Sequence, residues 1–217
     1  MRFRDRRQAG QELAARLLEW AGSGDLTGVT VLALPRGGVP VGAEIARALK
    51  VPLDVLVVRK IGVPGAPEVG IGAITGDDPP VFDRIGLEAM HLSEDKLGPD
   101  VARERTELHR RERVYRGGRP AVDVRGHSVV LVDDGLATGV TARAALRHLR
   151  RRDPQRLTLA TPVCSPATAA ALRGEADDII CLHQPKRLRS VGEWYADFHQ
   201  VSDEEVLQAL RELHPTV

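Results

Sequence analysis

The sequence predicts an α/β fold, an open and mainly parallel twisted sheet flanked by helices with a small additional subdomain. Two observations support this prediction. Short apolar runs alternate along the chain with segments of helical periodicity, which is the order of β-loop-α units. Several of the loops between them are rich in glycine or in charged residues and directly follow an apolar run. We therefore expect a ligand site at the carboxyl ends of the strands.

Composition limits the classes of protein to which the chain could belong. At 217 residues it can form one sizeable core, so we expect residues 1–217 to be a single domain. A formal net charge of +1 does not favour a nucleic-acid binder. No apolar run could span a bilayer and the first residues lack the apolar core of a signal peptide, so we expect a cytoplasmic protein without membrane association. Cys164 and Cys181 lie in apolar segments and are predicted to be buried, reduced thiols.

The first third of the chain predicts a capped helix, one β-loop-α unit and a further strand. Asp5 and Gln8 form a capping-box pattern, and apolar residues follow at helical spacing until a glycine-rich turn at 22–25. Residues 29–34 form a predicted strand, 35–40 a loop and 41–49 a helix. Residues 52–58 then form a second predicted strand, which ends at Arg59 and Lys60.

The middle of the chain is less regular. A Gly/Pro loop at 62–68 precedes a glycine-containing strand at 69–75 and a short partner strand at 80–83. Residues 93–115 are helical and polar, and the stretch 103–119 holds seven arginines against three glutamates. That stripe could attract a phosphorylated substrate, a partner subunit or nucleic acid, but we interpret it as a solvated helix face with Glu–Arg pairs such as Glu107–Arg111.

The last third contains the predicted strands 129–132, 156–163 and 177–182, with helices at 142–149 and 166–172. Ser202 and Glu205 form a second capping box, which opens a C-terminal helix through Leu213. Right-handed crossovers would bring the loops 35–40, 59–68 and 133–141 to one edge of the sheet.

The stretch 129–141 carries the most specific chemistry. Four apolar residues lead to two adjacent carboxylates, Asp133 and Asp134, and then to a Gly/Thr loop that opens a helix. The free amides of a helix N-terminus suit a phosphate, and glycines allow it to approach closely. The carboxylates suit ribose hydroxyls or a divalent cation. The alternative interpretation is a simple helix cap at the end of a parallel strand.

This Asp-Asp-Gly-x-Ala-Thr-Gly-x-Thr stretch resembles the signature of the type I phosphoribosyltransferases, which bind 5-phosphoribosyl-1-pyrophosphate (PRPP). The resemblance implies that the acids contact the ribose hydroxyls and that the loop holds the 5′-phosphate. The residues concerned are Asp133, Asp134, Gly135, Leu136, Ala137, Thr138, Gly139 and Thr141.

Two further segments match the family at the place where it binds pyrophosphate. Arg36, Gly37 and Gly38 form a glycine loop with a fixed positive charge, which also suits an anion on physical grounds. Arg59 and Lys60 match a basic pair of the family, and their alternative role is that of solvated charges beside a turn. The family also has a mobile loop that closes over the substrate, for which the candidate hinge here is 62–70.

The resemblance implies a fold in which a hood covers the acceptor. We expect residues 184–217, with residues 1–24 as a further candidate, to form this hood and its flanking elements. Tyr195 and Phe198 are candidates for stacking on the acceptor base, and packing within the hood is the alternative.

The implied activity is transfer of the phosphoribosyl group from PRPP to a nitrogenous base with release of pyrophosphate. Asp133, Asp134 and Lys60 would be the catalytic residues, and Mg²⁺ would be bound by Asp133 or Asp134 directly or through water. The competing hypothesis is a regulator that senses PRPP without turnover. We further expect a homodimer.

Overall fold

A five-stranded parallel sheet is the centre of the computed structural model, which describes residues 2–22 and 28–213. In chain order the helices and strands are α1 (Arg6–Ala21), β1 (Val29–Ala33), α2 (Gly38–Leu49), β2 (Leu53–Val55), β3 (Val58–Val63), β4 (Ala66–Thr75), β5 (Val81–Phe82), α3 (Arg84–Ala89), α4 (Gly98–Arg116), β6 (Ser128–Val132), α5 (Val140–Arg150), β7 (Arg156–Val163), α6 (Pro166–Leu172), β8 (Asp178–His183) and α7 (Asp203–Leu213).

The strand order β2-β1-β6-β7-β8 confirms the predicted α/β class. Every pairing in this sheet is parallel, and the register brings Ala33 beside both Val55 and Val132. The order reverses beside β1, because β1 lies between β2 and β6. Loops at the carboxyl ends of β1 and β6 therefore meet at the place where open α/β sheets bind ligands.

Both faces of the sheet are covered, which explains why the strands are apolar without alternation. Val31 and Val130 face one apolar cluster, to which α1, α2 and α7 contribute. Leu32 and Leu131 point the other way into a second cluster with α5 and α6. The loops that follow β1 and β6 thus extend from a sheet that is packed on both faces.

The region after β2 differs from the prediction. The expected strand 52–58 divides in two, because β2 ends at Val55 and β3 begins a separate antiparallel sheet with β4 and β5. Arg59 and Lys60 therefore lie within a strand and not at the end of one. The prediction of a Gly/Pro loop at 62–68 is wrong as well. Strands β3 and β4 form a hairpin across this segment, with register shifts around Gly62. Mobility of 62–70 remains a prediction.

The helix boundaries agree closely with their sequence signals. Asp5 accepts a hydrogen bond from the amide of Gln8 at 2.8 Å, which confirms the first cap. Ser202 and Glu205 exchange two hydrogen bonds between side chain and amide, as a capping box requires. Helix α3 was not predicted, since its six residues give too short a pattern.

The arginine-rich stripe on α4 is largely paired. Glu107 accepts hydrogen bonds from Arg110 and Arg111, which lower its pKa to about 2. Arg105 differs, because its guanidinium donates to the main-chain carbonyls of Gly76 and Asp78 and so connects α4 with the turn after β4. The interpretation as a helix face with Glu–Arg pairs is confirmed at these positions.

The two cysteines differ in burial. Cys164 and Cys181 are free thiols, Cys164 fully buried and Cys181 partly so. No helix within 2–22 and 28–213 has both the length and the apolar composition needed to cross a membrane. Some predicted positions lie outside the described residues. They are positions 23–25 of the predicted turn and, within the expected hood and its flanking elements, residues 1, 23–24 and 214–217.

Candidate ribose-phosphate site

The acid pair and the first glycine loop meet at the carboxyl edge of the sheet. The main-chain amide of Leu34 donates to the carbonyl of Val132 at 2.9 Å, which places the loops after β1 and β6 side by side. A Cβ added at Gly37 would collide with the Asp134 carboxylate, and one added at Gly38 would lie 2.7 Å from the Val132 carbonyl. Only glycine fits at these two positions, so the loop packs directly against the acids.

The loop between Asp134 and α5 presents unpaired main-chain donors. Within the described part of the chain, the amides of five predicted phosphate-binding residues have no hydrogen-bond acceptor: Gly135, Ala137, Thr138, Gly139 and Thr141. Gly139 adopts a φ of 73° and directly precedes α5. Free amides grouped at the start of an 11-residue helix can bind an anion, because both the donors and the helix dipole favour negative charge.

Leu136 is an exception within this loop. Its amide donates to the carbonyl of Val163 at 2.8 Å, and its side chain is buried. Neither the amide nor the side chain of Leu136 is therefore free to contact a phosphate, and the prediction that Leu136 binds it through these groups is wrong. Its role is to fix the loop to the end of β7.

Helix α6 supports the loop from the other side. The hydroxyl of Thr168 donates to the carbonyl of Ala137 at 2.7 Å and accepts from the hydroxyl of Ser165 at 2.9 Å. A Cβ added at Gly139 would lie 2.7 Å from the Thr168 methyl group. Ser165 and Thr168 could not be predicted to support the site, because the contact joins segments about thirty residues apart.

The two carboxylates differ in their surroundings. Burial and the neighbouring Asp134 charge raise the pKa of Asp133 well above its ordinary range, although Lys60 opposes this. Burial also raises the pKa of Asp134, against the opposing charge of Arg6, whose Nε donates to Asp134 Oδ2 at 2.7 Å. Burial thus disfavours negative charge on both acids, and a bound cation or hydroxyl donors would stabilise that charge.

The predicted basic residues do not all face the acids. Lys60 is exposed, and its charge acts on Asp133. Arg59 forms a two-bond ion pair with Glu104 on α4 at 2.7 and 3.0 Å, on the opposite face of β3. The guanidinium of Arg36 lies 3.6 Å from Asp203 at the start of α7. Of these three cations, Lys60 is the one whose charge opposes the raised pKa of Asp133.

The two aromatic candidates in the expected hood differ in exposure, although their rings stack on each other with centroids 5.1 Å apart. Tyr195 is 3% exposed, and its hydroxyl donates to the main-chain carbonyl of Asp134 at 2.6 Å. Burial raises its pKa, so the hydroxyl remains a donor. The Tyr195 ring is thus committed to packing, which contradicts a role in stacking on a base. Phe198 is 39% exposed, and stacking by its ring remains a prediction.

Arg6 is a further residue of the site that the sequence did not predict. Its side chain is 8% exposed, and it reaches Asp134 from the first turn of α1. The pattern Asp-Arg-Arg-Gln identified only the helix cap, and no local signal separates a buried arginine from the exposed one beside it.

The metal-binding capacity of the site is limited to its carboxylates. Asp133 and Asp134 offer the oxygen donors that Mg²⁺ prefers. Within the described residues, no group of three or more His, Cys, Asp or Glu side chains is arranged to hold a metal ion. A cation here would need most of its ligands from a bound substrate.

Comparison with known proteins assigns the family. The model of the phosphoribosyl transferase domain matches residues 5–193. Two curated proteins of Mycobacterium tuberculosis, from strains CDC 1551 and H37Rv, are provisionally named phosphoribosyl transferases. Each is 41% identical over 212 residues, which are 98% of this chain and 47% of the relative. The chain thus spans about half the length of these relatives.

Two solved structures resemble this chain. The crystal structure of TT1426 from Thermus thermophilus is 41% identical, has a TM-score of 0.79 and covers 99% of this chain and 100% of its own. The AQ2163 protein from Aquifex aeolicus is 13% identical with a TM-score of 0.53 over 86% of this chain and 78% of its own, a likeness of fold alone. Because the family model spans most of the chain, the chain belongs to the phosphoribosyl transferase domain family.

Proposed function

We propose that the chain binds PRPP with Mg²⁺ and transfers the phosphoribosyl group to a nitrogenous base, releasing pyrophosphate. One observation carries this proposal. Five unpaired amides between Gly135 and Thr141 directly follow the carboxylates of Asp133 and Asp134 in the chain. An anion site next to two hydrogen-bond acceptors is complementary to a sugar phosphate, in which a charged group and free hydroxyls occur together.

Each part of this edge has a role in the proposed reaction. The loop amides bind the 5′-phosphate, and the carboxylates accept hydrogen bonds from the ribose hydroxyls. Breaking the bond between ribose C1 and pyrophosphate leaves negative charge on the departing group, which Lys60 stabilises. The sugar develops positive charge at the same time, and the adjacent acids stabilise it. Rate enhancement then rests on positioning and electrostatics.

The donor set of the site fits Mg²⁺ as a cation that arrives with the substrate. Asp133 or Asp134 would hold it directly or through water, and pyrophosphate and ribose oxygens would complete its shell. The ion would neutralise charge on the leaving group. This role agrees with the finding that the described residues provide no complete metal site of their own.

A sensor that binds PRPP without turnover is the second candidate. It is favoured by the distribution of the cations, because Glu104 pairs with Arg59 and Asp203 lies near Arg36. Lys60 is thus the single predicted pyrophosphate-binding cation that acts on the acids. Binding needs fewer contacts to the leaving group than catalysis does.

Pyrophosphate release distinguishes these candidates. The purified protein is incubated with PRPP, Mg²⁺ and a panel of purine and pyrimidine bases including orotate, and released pyrophosphate is measured. Base-dependent release supports the transferase and identifies the acceptor. Saturable PRPP binding without release would support the sensor, and the absence of both would overturn the proposed use of the site. Homodimer formation remains a prediction, which light scattering on the same sample measures.

A further inference from the structure

Arg6 connects three parts of the molecule at the acid pair. It is the first residue of α1, yet its nearest charged partner is Asp134, 128 positions later in the chain. We propose that Arg6 is a positioning residue for sugar binding, which holds the Asp134 carboxylate in place and fixes the segment 195–199 against it. This inference rests on the proposed function and identifies a residue through which the same site is ordered.

The guanidinium of Arg6 makes three separate contacts. Its Nε donates to Asp134 Oδ2 at 2.7 Å, and a terminal nitrogen donates to the main-chain carbonyl of His199 at 2.8 Å. Its central carbon lies 3.8 Å from the centre of the Phe198 ring. Arginine suits this position because a planar cation can stack on an aromatic face while its edge donates hydrogen bonds.

Asp134 is restrained through its main chain, through Oδ2 and by packing against Gly37. Its carboxylate packs over Gly37, where a Cβ would collide with it. Its carbonyl accepts the Tyr195 hydroxyl at 2.6 Å, and its amide donates to Asp133 Oδ1 at 2.9 Å. Arg6 supplies the remaining restraint, on Oδ2. A carboxylate held in this way meets a ribose hydroxyl without first losing side-chain freedom.

The burial of this ion pair argues against an incidental surface contact. The Arg6 and Asp134 side chains are only 8% and 14% exposed. Buried pairs are expensive to desolvate, and removing one partner leaves an uncompensated charge. Arg7, the next residue, provides a matched comparison, since it is 69% exposed and lies 3.8 Å from Glu44.

A double-mutant cycle separates positioning from general stabilisation. Wild type, Arg6→Gln, Asp134→Asn and the double variant are compared for PRPP affinity by calorimetry in the presence of Mg²⁺, with Arg7→Gln as control. Urea unfolding of each variant is measured in parallel. We expect Arg6→Gln to weaken PRPP binding about tenfold and Arg7→Gln to leave it unchanged. The effect of Arg6→Gln should largely disappear when Asp134 is already Asn, because Arg6 acts through that carboxylate.

Two results would overturn the inference while leaving the proposed function intact: equal PRPP affinity of Arg6→Gln and wild type, or an unchanged Arg6→Gln effect in the Asp134→Asn background. Absence of PRPP binding by the wild type would overturn both. If Arg6→Gln does not fold, Arg6→Lys replaces it in the cycle, because lysine retains the charge but loses the planar fork. Weaker binding by that variant, dependent on Asp134, is then expected, and wild-type affinity would contradict the inference.

Discussion

The acid pair and the basic pair of this protein each consist of two like charges adjacent in sequence, but the fold directs their side chains differently. Asp133 and Asp134 lie beyond the end of β6, in a loop whose backbone can turn, and both remain at the ligand edge. Arg59 and Lys60 lie inside β3, where successive side chains point to opposite faces. Lys60 consequently acts on the acids, whereas Arg59 pairs with Glu104 on α4.

This difference shows that adjacency in sequence predicts a shared site only outside regular strands. The side-chain direction of a loop residue depends on its own backbone angles, whereas the pleat fixes the side-chain direction of a strand residue. The family resemblance implies that both members of each pair take part in the site. The structure separates the two cations, and we expect Lys60 to serve catalysis and Arg59 to serve the packing of α4. The following predictions test that separation.

The largest effect is expected at Lys60. Lys60→Ala should lower kcat/KM for PRPP about a hundredfold, because it removes the cation that stabilises the leaving group. Steady-state pyrophosphate release measures this, with urea unfolding as the control for stability. A loss no greater than that of Arg59→Ala would show that the two cations are not functionally separated.

A smaller but still large loss is expected at the acid pair. Asp134→Asn should leave the fold intact and lower turnover more than about tenfold, since a neutral amide stabilises positive charge on the ribose poorly. Circular dichroism verifies the fold, and pyrophosphate release gives the rate. An unchanged rate would count heavily against the role assigned to Asp134.

The acid pair should also cost stability, unlike the basic pair. Because burial raises the folded-state pKa of Asp133, the folded protein binds more protons than the unfolded chain above about pH 4, so stability falls as pH rises through that range. Asp133→Asn should therefore raise the Tm of the ligand-free protein at about pH 7 while it lowers turnover. The gain should vanish as pH falls towards about 4, and a lower Tm at neutral pH would contradict this reasoning.

The smallest catalytic effect is expected at Arg59. Arg59→Ala should change kcat/KM by less than about threefold and reduce the free energy of unfolding by about 1 kcal/mol, because it removes a partly exposed ion pair. Glu104→Gln removes the other side of that pair together with a contact to Arg103 at 3.4 Å, and should likewise leave kcat/KM within about threefold. A selective loss of turnover in Arg59→Ala alone would return Arg59 to the pyrophosphate site.

Local sequence signals predicted most of the fold and the central loop. The caps at Asp5 and Ser202 were correctly identified because capping involves residues only three apart. The loop 133–141 was identified because its strand, acids, glycines and helix are contiguous. Contacts between distant segments were not predictable in this way, as Arg6 with Asp134 and Thr168 with Ala137 show.

The errors have related causes. The break between β2 and β3 was missed because apolar residues continue across it without a turn signal. The amide of Leu136 was assigned to phosphate binding because the loop was treated as uniform, whereas Val163 occupies that single donor. Tyr195 was grouped with Phe198 because both are aromatic, although one is buried and the other exposed.

The most direct test of the central claim is a titration of ¹⁵N-labelled protein with PRPP and Mg²⁺, followed by amide chemical shifts. Binding as described predicts that the largest changes fall on Gly135, Ala137, Thr138, Gly139 and Thr141, with smaller ones near Lys60. Saturable binding that leaves the chemical shifts of these amides unchanged would contradict the claim. So would binding that changes instead the amide shifts around the cavity of about 290 Å³ lined by Asp54, His148 and Arg116.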